Sequence, residues 1–148
     1  ANTLWECWNG LGSRNHHMFS DVSAFFYKYI GGISADDDMP AYEHIILRPA
    51  VGCGIEKVHC SVETPYGKAV SDFENDGKTL RLSLTVPSGS HATLFLPMYL
   101  DDVFEGAPHT PFAEKLTASG NAVRFTPCDM PEIKADLPSG EYTFTAKI

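Results

Sequence analysis

Thr79-Leu80-Arg81-Leu82-Ser83-Leu84-Thr85-Val86, entered from Asn75-Asp76-Gly77 and left through Pro87-Ser88-Gly89-Ser90, is the stretch that decides the architecture. Leu80, Leu82, Leu84 and Val86 alternate with Thr79, Arg81, Ser83 and Thr85, a period of two that lines one face of a strand. An Asx-Gly pair suits the positive backbone angles of tight hairpins, so Asn75-Asp76-Gly77 predicts a turn from the preceding strand. That strand, Lys68–Phe73, follows a turn at Pro65-Tyr66-Gly67. Before the turn, Val58, Cys60 and Val62 alternate with Lys57, His59, Ser61 and Glu63. Beyond Ser90, Ala92, Leu94 and Leu96 continue the pattern, which predicts three consecutive antiparallel pairings, a meander. Further strands are expected at Ala122–Thr126 and at Tyr142–Ile148, where Tyr142, Phe144, Ala146 and Ile148 share one face. Leu100 to Leu116, interrupted by Pro108 and Pro111, reads as loops. Short strands with one apolar face must bury it against a second sheet, which makes the fold class mainly β, an antiparallel β-sandwich.

Outside this region the pattern changes. From His17 to Ile30 the apolar residues Phe19, Val22, Phe26 and Tyr29 recur at helical spacing, widened by Met18 and Phe25, with Ile33 continuing the series. Ser13 or Asn15 is placed to cap the start, Asp21 and Lys28 suit the two ends of the helix dipole, and Gly31-Gly32 supplies the stop. So aromatic a helix needs a large packing partner, and an upstream helical layer would account for its width. Ser34 to Tyr42 is an acidic connector. Its Asp36-Asp37-Asp38 run reads as a solvated linker or as a cation site, although calcium loops alternate their ligands around a defined glycine.

Composition narrows the classes. The 148 residues carry a formal charge of -8 and 43% apolar side chains, with mean hydropathy -0.15. The eleven basic residues are scattered, which argues against nucleic acid, and no run is long enough to span a membrane. Ala1 is not an initiator Met and no signal segment opens the chain, so any targeting peptide is expected upstream or already removed. Cys7, Cys53, Cys60 and Cys128 lack the spacing of a zinc site and are expected as buried free thiols, with disulfides the alternative. No metal or cofactor is expected.

The chemistry-bearing residues lie at the N-terminal edge. In Thr3-Leu4-Trp5-Glu6-Cys7-Trp8, one carboxylate stands between two indoles, and Asn15-His16-His17 follows. Partial desolvation by the indoles would raise the Glu6 pKa towards the range useful for proton transfer, and indole faces stack on sugar rings. The plainer alternative makes Trp5 and Trp8 core anchors and Glu6 an exposed side chain. His16 and His17 suit either a hydrogen bond to a hydroxyl or carboxylate, or a polar helix start. His44, His59, His91 and His109 have no metal-ligand spacing and are expected in surface or strand-packing roles. No phosphate loop, nucleophile elbow or zinc-protease motif is present. Glycoside hydrolysis uses two carboxyl groups, and this chain offers one.

Together these residues resemble the C-terminal end of bacterial α-L-rhamnosidases of glycoside hydrolase family 78. Thr3-Leu4-Trp5-Glu6 looks like the family's segment near the end of its helical barrel. Asn15-His16, Phe19 and the helix to Tyr29-Ile30-Gly31-Gly32-Ile33 look like the barrel's last helix. Glu43-His44-Ile45-Ile46-Leu47-Arg48-Pro49, with Ser61-Val62-Glu63-Thr64-Pro65-Tyr66-Gly67, resembles the entry into its C-terminal sandwich. The resemblance implies that residues 1–42 close an upstream (α/α)6 barrel and that 43–148 form the sandwich bracing it. It implies a parent enzyme that removes terminal α-L-rhamnose with inversion, the general acid lying upstream and Glu6 acting as general base. His16 is expected to hydrogen-bond the sugar and Trp5 to wall the pocket. The partners implied are the upstream barrel and a rhamnose-containing glycan. The isolated fragment would be inactive and self-associating through its aromatic helix. Two other readings stay open: a carbohydrate-binding or structural module, with Tyr66, Tyr99, Phe104 or Phe112 as platform, and the tail of a related barrel glycosidase such as an α-L-fucosidase.

Overall fold

Two sheets packed face to face carry the molecule. The structure, a computed structural model, describes residues 3–16, 21–97, 114–116, 122–124, 126–127 and 132–147. The strands are β1 (Ile33–Ala35), β2 (His44–Leu47), β3 (Lys57–Thr64), β4 (Gly67–Asn75), β5 (Thr79–Val86) and β6 (His91–Pro97). They continue as β7 (Glu114–Leu116), β8 (Ala122–Arg124), β9 (Thr126–Pro127), β10 (Glu132–Leu137) and β11 (Gly140–Lys147). One sheet runs β1-β2-β6-β10-β9 and the other β11-β5-β4-β3, with β7 and β8 as a separate pair.

The alternation in β5 is realised: Leu80, Leu82, Leu84 and Val86 are buried while Arg81 and Ser83 face out. They meet Ala69 and Phe73 of β4, Tyr142 and Phe144 of β11, and the inward residues Ile45, Leu47, Leu94, Leu96, Ile133 and Leu137 of the other sheet in one core. The hairpin at 75–78 is held by its own polar atoms. Asn75 Oδ1 accepts the Gly77 N–H at 2.8 Å, and Asp76 Oδ1 accepts those of Lys78 and Thr79 at 2.9 and 2.7 Å. Tyr142 reaches back from β11 to donate its hydroxyl to the Pro138 carbonyl at 2.6 Å.

Several expectations need correction. The meander stops after two pairings, because β5 pairs with β4 and β11 while β6 joins the opposite sheet. The Pro87–Ser90 turn crosses between sheets: Ser90 Oγ donates to the Tyr42 carbonyl at 2.8 Å and the His91 N–H to the Glu43 carbonyl at 3.0 Å. Segment 91–97 is thereby drawn beside β2, in parallel, with His44 opposite His91 and Leu47 opposite Leu94. The sandwich is therefore not wholly antiparallel. Ile33 does not extend the helical stripe; it starts β1, pairs with Leu47 and is buried. Within 100–116, Glu114–Leu116 is a strand rather than a loop, and β10 is a strand that the periodicity did not single out. Cys7 and Cys53 are exposed, not buried, whereas Cys60 is buried as expected. Cys128, His109, Tyr99, Phe104, Phe112 and Ile148 lie outside the described residues.

The helix is described from Asp21; its expected first turn, including His17, Met18 and Phe19, falls outside the described residues. Asp21–Phe25 is α-helical and Phe26–Ile30 continues as a π-helical turn, closed by the Gly31 N–H on the Phe26 carbonyl at 2.8 Å. None of residues 21–30 is buried; Val22, Phe25, Phe26 and Tyr29 are at least half exposed, Tyr29 at 65%. The stop at Gly31-Gly32 is a close crossing. Gly32 has φ +72°, and a Cβ there would lie 2.2 Å from the Arg48 carbonyl carbon and oxygen. The Arg48 N–H donates to the Gly32 carbonyl at 2.8 Å, and the Ala50 N–H to that of Ile30 at 3.1 Å. The end of the helix is thus bonded to the sandwich.

Candidate functional site

Residues 3–16 fold back on themselves into a loop that holds Glu6. The Glu6 N–H donates to the Ser13 carbonyl at 2.8 Å and the His16 N–H to the Leu4 carbonyl at 2.7 Å; Thr3 Oγ1 donates to the Arg14 carbonyl. Asn9 Oδ1 accepts the Leu11 N–H at 3.0 Å and the Gly10 N–H meets the Cys7 carbonyl at 3.1 Å, so 7–11 forms the tip. Asn15 does not reach a described helix turn, its N–H lying on Ser13 Oγ at 3.3 Å.

The three expected site residues lie on this loop, and it brings two of them, Glu6 and His16, close together. The Ser13 N–H donates to Glu6 Oε2 at 2.9 Å, and His16 Nδ1 stands 3.9 Å from the same oxygen. Trp5 lies under the Arg14 guanidinium, 5.4 Å from its ring centre, and its ring edge closes on Gly10. Trp8 is fully exposed and the Glu6 side chain is 46% exposed, so among the described residues the indoles do not enclose the carboxylate. Nor are the tryptophans core anchors. What the loop provides is an oriented carboxylate with a histidine near one oxygen, while the Trp5 indole packs on Arg14 and Gly10 of the same loop. Such a group can accept a proton from a bound water, provided other protein surface excludes bulk solvent. The Gly12-Ser13 contribution was not anticipated. The signal available for it was a glycine-flanked turn seven residues beyond the carboxylate.

A cleft of 640 Å³ opens elsewhere, between the helix and β3, lined by Ser23, Phe26, Tyr27, Val58, His59 and Cys60; no loop residue borders it. Burial, then the Asp72 charge, pushes the Cys60 thiol above its ordinary pKa, which disfavours its thiolate form.

A second polar cluster spans the outer face of the β1-containing sheet. His44 Nδ1 lies 2.6 Å from Asp36 Oδ2 and its Nε2 lies 2.9 Å from Thr93 Oγ1, which donates to Asp136 Oδ1 at 3.0 Å. His91 stacks on His44 at 4.5 Å, and His59 meets Asp72 at 2.8 Å on the other sheet. For His44, His59 and His91 these are surface or strand-packing roles, as expected. The order carboxylate, imidazole, hydroxyl imitates a nucleophile relay, but Thr93 is buried and its hydroxyl proton is directed to Asp136, so the cluster fastens strands. Asp36, read as a linker residue, is a member of it. Its carboxyl is held below the ordinary range by the Asp38 N–H and then by the His44 ring. Among the described residues no cluster of three His, Cys, Asp or Glu side chains is disposed to hold a metal ion.

Fold and site define a β-sandwich domain that presents a carboxylate-bearing loop and an aromatic helix at its N-terminal end. The model of the bacterial alpha-L-rhamnosidase C-terminal domain matches residues 32–106, half of the chain, and the chain belongs to that family. An alpha-L-rhamnosidase of Formosa agariphila is 33% identical over 93 residues, 62% of this chain and 10% of the relative. A second from the same organism is 23% identical over 158 aligned positions, 99% of this chain and 16% of the relative. The structure of an alpha-L-rhamnosidase from Dictyoglumus thermophilum superposes with TM-score 0.72 at 21% identity, covering 97% of this chain and 16% of that one. The chain therefore spans a tenth to a sixth of the length of these curated relatives.

Proposed function

We propose that this chain is the C-terminal part of an inverting glycoside hydrolase acting on terminal α-L-rhamnosides. In this reading the loop and helix complete an upstream catalytic barrel, and the sandwich braces it. Glu6 is the general base that activates water, His16 hydrogen-bonds the sugar, and Trp5 walls the pocket. The observation carrying the reading is that a relative named as an alpha-L-rhamnosidase aligns over 99% of this chain, so the similarity includes the Glu6 loop as well as the sandwich. The half-open carboxylate accords with it, since a base needs cover beyond what the described residues give it. Inverting hydrolysis places base and acid roughly 6.5–9.5 Å apart with water between base and sugar, and the acid would come from the barrel.

The test is Glu6→Gln in the intact gene product, assayed on an aryl α-L-rhamnoside. Turnover should fall about 100-fold or more, the scale of a lost proton-transfer group. Turnover close to that of the unaltered protein would remove Glu6 from this role.

A further inference from the structure

Among the described residues Glu6 is fixed from one side, by Gly12 and Ser13. The Glu6–Ser13 pair is closed twice: the Glu6 N–H reaches the Ser13 carbonyl at 2.8 Å, and the Ser13 N–H returns to Glu6 Oε2 at 2.9 Å. That return bond needs the backbone before Ser13 to pass close beneath the carboxylate. Gly12 makes the passage, with φ +82°, and a Cβ there would stand 2.6 Å from Oε2 and 3.2 Å from the carboxyl carbon. Any L side chain therefore collides with the reacting group itself. His16 Nδ1, 3.9 Å away, lies on the same oxygen. Oε1 receives no hydrogen bond from the described residues and is the oxygen free to meet a water.

We infer that Gly12 and the Ser13 N–H are positioning groups for the Glu6 carboxylate, binding Oε2 so that Oε1 is aimed at the attacking water. This rests on the reading of Glu6 as the general base. Neither residue touches substrate in this account. They act by holding the base where its lone pair meets a water proton, a placement in which an error of about 1 Å can cost about 100-fold in rate.

The experiment compares Gly12→Ala, Glu6→Asp, their double variant, Glu6→Gln and Gly54→Ala in the intact gene product, on an aryl α-L-rhamnoside. Gly54 is the control: its φ is +75°, like that of Gly12, but nothing lies within 4 Å of its Cβ position. Gly12→Ala should lower kcat about 10- to 100-fold with KM within about twofold, and Gly54→Ala should leave both unchanged. Shortening the carboxylate by one methylene makes room for the new Cβ. The double variant should therefore lose at least about fivefold less than the product of the single losses. A loss confined to KM, a Gly12→Ala enzyme as active as Gly54→Ala, or single losses that simply multiply would each overturn the positioning role while Glu6→Gln stays inactive. Normal turnover of Glu6→Gln would overturn the base assignment and the positioning role together.

Discussion

Gly32 shows how much a single missing Cβ can decide. Its backbone sits in the left-handed region and against the Arg48-Pro49 peptide, and it lies between two hydrogen bonds that join the helix end to the sandwich. An alanine there meets backbone at 2.2 Å, which no rotamer change relieves. Gly32→Ala should cost about 3 kcal/mol or more, combining φ strain with overpacking, and urea denaturation of the 148-residue chain should show it as a lowered midpoint. Gly31→Ala meets the Cys60 side chain instead, its Sγ at 2.2 Å and its Cβ at 2.4 Å. The sequence marks both glycines as a helix stop, which they are. It carries no trace of the close approach, because Arg48 and Cys60 reach them only through the fold. The same holds for Glu6: its indole neighbours are adjacent in the chain and were legible, whereas the Ser13 N–H that orients it depends on a loop closing across seven residues.

Helix Asp21–Ile30 carries an exposed apolar stripe, with Val22, Phe25, Phe26 and Tyr29 all at least half exposed; Phe25 packs only on its neighbours Phe26 and Tyr29 among described rings. Its helical periodicity was readable because a 3.6-residue stripe is local. The π-helical second half was not, since it follows from Gly31 capping Phe26 where the chain is bonded to Ala50 and Arg48. An uncovered stripe of this kind seeks another surface. The 148-residue chain on its own should show a scattering mass above its 16.2 kDa, and F25S/Y29S should bring that mass back towards 16.2 kDa. Neither residue is buried, so the pair should change unfolding stability by no more than about 0.5 kcal/mol each. A monomeric unaltered chain would mean that the stripe needs no cover.

Across the molecule, alternation specified which side chains face inward but not which sheet each strand joins. Leu80 to Val86 and Ala92 to Leu96 look alike in sequence and lie in opposite sheets, separated by a turn whose partners, Tyr42 and Glu43, are nearly fifty residues away. Long-range capture of this kind has no local signature. Once formed, each sheet is tied by a carboxylate whose proton affinity the fold lowers. In the β1-containing sheet it is Asp36, through the Asp38 N–H and the His44 ring. In the other it is Asp76, through the Lys78 and Thr79 N–H groups of the β4–β5 hairpin. A carboxyl that binds its proton less tightly folded than unfolded adds stability in full above its unfolded pKa of about 3.9, and loses it as pH falls through the folded value. The chain should therefore lose stability below about pH 4, with no contribution from these two groups to any change between pH 5 and 8. Asn keeps an acceptor oxygen for the backbone N–H groups and removes the titration. D36N/D76N should thus flatten the acid limb of the denaturation midpoint relative to the unaltered chain, and an equally steep limb in the double variant would place the acid sensitivity elsewhere.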